Sequence, residues 1–154
     1  MLAADKHVAI LNDLIRINND RIAGYRIALE KLSTNEKVIY ELFEKLRDES
    51  IAFREGLINK VAVLGGEVAT DTTFSGKVYR TWMDLKATIG GTDTTAILGS
   101  CFFGESAWQK AYEAILSMDS GLPEDSLQLI RGQYEDGCLS AALLEACQQM
   151  LTPP

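Results

Sequence analysis

Between residues 8 and 32, apolar side chains return at alternating spacings of three and four: Val8, Leu11, Ile15, Ile22, Tyr25, Leu29 and Leu32. That period predicts a helix from about Ala4 to Leu32 with a coiled-coil-like seam. One polar residue, Asn18, interrupts the seam near its middle. A second seam follows through Ile39, Leu42, Leu46, Ser50, Phe53, Leu57, Val61 and Leu64. A third, over about Thr94 to Met118, runs through Leu98, Cys101, Glu105, Trp108, Tyr112 and Ile115. The fourth reaches about Leu151 and turns Leu127, Ile130, Tyr134, Cys138, Ala141 and Leu144 inward. Four long amphipathic helices are therefore expected, each with an anomaly near its midpoint.

The connections differ in length. Ser33 to Glu36 reads as a tight turn into a capping box, which makes the first two helices antiparallel neighbours. Gly65-Gly66 ends the second helix, and Thr, Asp, Ser and Gly then dominate to Gly76. A short helix is predicted over about 77–89, with Val78, Trp82, Leu85 and Ile89 on one face, before Gly90-Gly91 breaks it. This apolar stripe is expected to lie on the long helices or on a second subunit. Pro123 suits a first helical position in the short turn between the last two helices. Two helical hairpins joined by a long crossover form an all-α, ferritin-like four-helix bundle, here a single domain over 1–154. An up-down-up-down bundle with a decorated loop, or an irregular helical array, are the alternatives.

Ferritin-like oxidases hold two metal ions at mid-bundle, with one Glu from each of two helices and a Glu-x-x-His pair from each of the others. Carboxylates bridge the hard cations and imidazoles complete the coordination. At the matching heights this chain has Asn18 in the first helix, and Ser50 with Phe53 in the second. Glu105 in the third is correctly placed, and Glu135-x-x-Cys138 in the fourth comes nearest to the pair. The single histidine, His7, lies several turns from the middle. The weak metal candidates are thus Glu105, Glu135 and Cys138. The expected arrangement is instead a polar core layer of Asn18, Ser50, Glu105 and Tyr134. With no Lys or Arg on the other seams at that height, Glu105 is expected to be buried and neutral. Tyr25, Trp108, Tyr112 and Tyr134 could line a small-ligand pocket, although such a set usually forms plain core.

Net charge changes the picture next. At -7 the chain lacks the basic face that nucleic acid or an anionic membrane requires. No apolar run approaches the ~20 residues of a membrane span, and residues 1–5 lack the features of a signal peptide. A cytoplasmic setting follows, with Cys101, Cys138 and Cys147 as reduced thiols. Cys138 and Cys147 on one helix stand ~13 Å apart, too far for a disulfide. No Walker loop, dinucleotide fingerprint or nucleophile elbow occurs.

Several segments together carry a resemblance: residues 11–15, Gly24-Tyr25, residues 64–66, Trp82 to Lys86, the helix around Glu105 and Ala111-Tyr112, and Gln133-Tyr134. With these the chain is similar, over nearly its full length, to uncharacterised bacterial four-helix-bundle proteins of Pseudomonas type in the ferritin-like superfamily. The resemblance implies the fold and a bacterial, cytoplasmic setting, and it supplies no reaction. Superfamily metal ligands carry over at Glu105 alone. The expected function is a non-enzymatic, protein-interaction or stress-related bundle with a degenerate di-iron site, no cofactor, and a second copy of itself as partner. A metal-dependent redox or storage protein, and a small-molecule-binding bundle, are the competing readings.

Overall fold

The computed structural model describes residues 2–33, 35–72 and 94–151. Among these, four helices carry all the regular structure: α1 (Ala3–Lys31), α2 (Lys37–Val63), α3 (Thr94–Ser117) and α4 (Glu124–Leu151). The short helix expected over 77–89, with Trp82, falls outside the described residues.

The turn into α2 departs from the expected capping box. Ser33 Oγ accepts a long bond of 3.4 Å from the Asn35 amide, and Glu36 is the boundary residue with no side-chain cap. The helix starts one residue past Glu36, so that carboxylate stands outside the first turn and has no amide to reach back to. At the other end, Gly65 adopts φ 72°, its amide donates to Ala62 O at 3.0 Å, and the Gly66 amide donates to Val61 O at 3.1 Å. This is a Schellman stop. A Cβ on Gly66 would stand 2.6 Å from Val8, so glycine also lets the chain close onto the start of α1.

From there the backbone climbs along α1. Asn12 Nδ2 donates to Glu67 O at 2.8 Å, while Asn12 Oδ1 accepts from the Ala69 amide at 2.9 Å. Higher up, Asn19 Nδ2 donates to Asp71 O at 3.0 Å, and Arg16 pairs with the Asp71 carboxylate at 2.8 Å. The chain therefore leaves the bottom of α2 heading back towards its top. There α3 begins, with Ile97, Leu98 and Cys101 packed against Tyr25, Ala28 and Leu32. It ends with Tyr112 and Ile115 against Leu11 and Ile15. Helix α3 is thus antiparallel to α1, and α4 returns alongside it. This is the ferritin-like connectivity, in an all-α bundle.

Two apolar clusters fill the interior. One gathers Tyr25, Phe43, Leu46, Leu98, Cys101 and Leu144, and the other Leu11, Leu14, Phe53, Leu57, Trp108 and Ile130. On every helix the boundary between them falls at mid-length.

Candidate functional site: a guanidinium across the middle of the bundle

At that boundary the polar residues meet, and the residue at their centre is Arg21. Its helical position follows Asn18 by three and precedes Tyr25 by four, so all three share one inward face. Arg21 is 2% exposed. Its Nε donates to Glu105 Oε1 at 2.9 Å, and its Nη1 donates to Ser50 Oγ at 2.9 Å. Nη2 lies 3.0 Å from Glu49 Oε1, close enough for an ion pair but off-line for a hydrogen bond. The guanidinium carbon sits 5.1 Å from the centre of the Trp108 ring and 5.9 Å from that of Tyr25. Such contacts hold an arginine cation by the negative face of the ring.

The electrostatics are those of a paired charge in a dry core. Burial works against the Arg21 cation, but Glu105, Tyr25 and Glu49 together hold its pKa above the ordinary arginine value. Glu105 Oε1 also accepts a 2.5 Å bond from Tyr25 Oη. Burial pushes the Tyr25 hydroxyl well up, and the neighbouring Glu105 adds to the shift. Burial, and then Glu105, push the Cys101 thiol up in the same way.

A second branch continues from Asn18. Its Oδ1 accepts from Trp108 Nε1 at 3.1 Å, and its Nδ2 donates to Leu14 O and to Tyr112 Oη, both at 2.9 Å. Tyr112 Oη donates to Gln133 Oε1 at 2.7 Å, and Gln133 Nε2 donates to Phe53 O at 3.0 Å. Burial likewise raises the Tyr112 hydroxyl. Ser140 closes the layer from α4, donating to Glu49 Oε2 at 2.7 Å.

Asn18, Ser50 and Glu105 therefore lie in one buried layer, whereas Tyr134 does not. Tyr134 is half-buried and donates to Glu113 Oε1 at 2.6 Å on the surface. The cause is the register of α4. Its buried positions are Ser126, Ile130, Gln133, Gly137, Ser140 and Leu144, one residue off the expected stripe at four places. A Cβ on Gly137 would overlap the Trp108 indole, so the missing side chain is what seats the ring. A small-residue face wins because Trp108 already fills the space that Tyr134 and Cys138 would need. Glu135 is consequently exposed and Cys138 half-buried.

The expectation that Glu105 has no cationic partner is also corrected, since Arg21 supplies the cation that the seams seemed to lack. Arg21, Glu49 and Ser140 escaped the sequence reading, and Gln133 entered it only as part of the resemblance. The spacing of Arg21 from Asn18 and Tyr25 was the signal, but a charged residue in Asn-Asn-Asp-Arg normally marks solvent. The aromatic pocket is filled: the Trp108 and Tyr112 rings stack with centres 4.1 Å apart, and neither is exposed.

A ferritin-like di-metal centre does not fit these residues. Of its carboxylate and imidazole positions the layer supplies Glu49 and Glu105, and a guanidinium lies between them. His7 is far away, at the end of the bundle beside Gly121. Among the described residues no three His, Cys, Asp or Glu side chains gather as a metal set. No described helix is long and apolar enough to cross a membrane.

Among solved structures, the chain is similar to "ferritin like, diiron-carboxylate proteins from Bacillus anthracis str. Ames", with a TM-score of 0.69 and 16% identity over 99% of each chain. At that identity the likeness shows the fold alone. No curated protein matches the chain. A family described as a domain of unknown function, DUF2383, matches residues 6–118, from the first turn of α1 to the end of α3. The chain belongs to that family.

Proposed function

We propose that this protein is a non-enzymatic ferritin-like bundle that works by contact with other protein, beginning with a second copy of itself. The observation that carries the reading is Arg21, whose guanidinium takes the mid-bundle position where a metal-dependent relative would do its chemistry. A buried cation between Glu49 and Glu105 repels divalent metal and already satisfies both carboxylates in part.

What remains chemically conspicuous is outside. On α4, Leu139, Leu143 and Met150 are exposed at 68%, 45% and 82%, with the exposed Ala142 and Ala146 between them. Together they form an apolar stripe opposite the buried face. The spacing from 139 to 143, 146 and 150 reads the same in both directions. An antiparallel second copy would therefore set Leu139 beside Met150 and Leu143 beside Ala146, as a two-fold interface requires. Light scattering on the purified chain tests this. A dimer that the Leu139→Glu, Leu143→Glu double variant turns into a folded monomer supports the reading. A wild-type chain that is monomeric at high concentration contradicts it.

A further inference from the structure

The apolar stripe on α4 does not end at Leu139. Below it, Asp136 and Gly132 continue the same alternation of three and four, and both border a groove between α2 and α4. The groove is open, measures about 390 Å³, and takes Ala52, Phe53, Gly56 and Leu129 as its apolar lining. A Cβ on Gly132 would meet nothing within 4 Å, so that side of the groove is clear. On α2, Val38, Lys45 and Ala52 follow at intervals of seven and therefore share a face. Val38 is 69% exposed, a branched apolar side chain held out at the start of the helix.

Three contacts fix the heights of the two helices against each other. Lys60 Nζ donates to Asp125 Oδ2 at 2.7 Å, Gln133 Nε2 to Phe53 O at 3.0 Å, and Ser140 Oγ to Glu49 Oε2 at 2.7 Å. Because the helices are antiparallel, the midpoint of the α4 stripe stands level with about residue 45 of α2. A two-fold axis at that height, lying in the plane of the α2–α4 face, sets α4 against α4 and α2 against α2. It brings Val38 of the second copy level with Ala52, at the mouth of the groove. Lys37 of the second copy then arrives beside Asp136 on the rim. Both residues are exposed, and neither has an ion-pair partner among the described residues. Lys45 falls next to the axis, one turn from Glu41 of the second copy, which leaves the centre of mixed sign.

We propose that the α2–α4 groove is the second half of the self-contact. It receives Val38 of a second copy, and its Asp136 pairs with that copy's Lys37, twice per dimer. This rests on the reading that the chain pairs through α4, and extends the contact to both helices of the face. Sedimentation equilibrium at low salt, where surface charge is least screened, tests it. Lys37→Glu and Asp136→Lys should each raise the dimer dissociation constant at least about fivefold, since each reversal acts at two symmetric places. A glutamate also suits the first turn of a helix, so Lys37→Glu spares the fold. Combined, the two changes restore the pair with its signs exchanged and should return the constant to within about twofold of wild type. Val38→Asp brings a carboxylate to an apolar groove beside Asp136 and should weaken the dimer at least as much as either reversal. The inference is overturned, and the α4 contact left standing, by a dimer that Leu139→Glu with Leu143→Glu disrupts but that both reversals and Val38→Asp leave unchanged. A combined charge variant no tighter than the single ones overturns it too. A monomeric wild-type chain overturns this inference and the α4 contact together.

Discussion

Arg21 and Glu105 form a pair whose parts cannot be removed singly. Breaking a buried ion pair by removing one partner typically costs about 3–5 kcal/mol, whereas replacing both with apolar groups is often neutral or better. Glu105→Gln should therefore lower stability by roughly 3 kcal/mol, softened because Glu49 still faces the cation. Arg21→Met combined with Glu105→Leu should recover much of that loss in urea melts. A Glu105→Gln chain as stable as wild type would show that the carboxyl is not charged in the fold. The buried tyrosines add a pH dependence. Tyr25 and Tyr112 have hydroxyls raised above the ordinary value of about 10. The unfolded chain releases those protons from about pH 10 while the folded chain keeps them, so stability is full below that pH and falls above it. Tyr112→Phe should make the alkaline fall shallower, at the cost of stranding Asn18 and Gln133 near neutral pH.

At the scale of the element, α4 shows what periodicity can and cannot resolve. Ile130 and Leu144 were legible as inward because large aliphatic side chains declare a face. The positions between them are Gln133, Gly137 and Ser140, which declare nothing alone. Only the bulk of Trp108, arriving from α3, decides that Gly137 faces in. Arg21 was hidden for the related reason that a charge is buried only when distant helices provide Glu49 and Glu105. The seams of α1, α2 and α3, the two hairpins and the crossover were readable, because those depend on residues along one helix or on the turn that follows it. Two glycines on α4 test the register directly. Gly137→Ala should destabilise by about 2 kcal/mol or more, since its Cβ meets the Trp108 ring. Gly132→Ala meets nothing within 4 Å and should stabilise by up to about 1 kcal/mol. Equal effects in thermal melts would place α4 in the wrong rotation.

For the whole molecule, a ferritin-like connectivity encloses a polar layer at mid-level between two apolar clusters. Two apolar clusters need a polar boundary only if something is gained there. That layer joins all four helices through Arg21, Asn18, Glu49, Ser50, Glu105, Gln133 and Ser140. A layer of that kind can fix register and pairing without any bound ion. The most direct measurement is elemental analysis of protein purified without chelator from cells supplied with iron and manganese, paired with melting curves before and after chelator. The expected result is far less than one metal ion per chain and a melting temperature that the chelator leaves unchanged. Near-stoichiometric iron or manganese, lost in Glu105→Ala and accompanied by a chelator-induced fall in melting temperature, would contradict a middle layer held by Arg21.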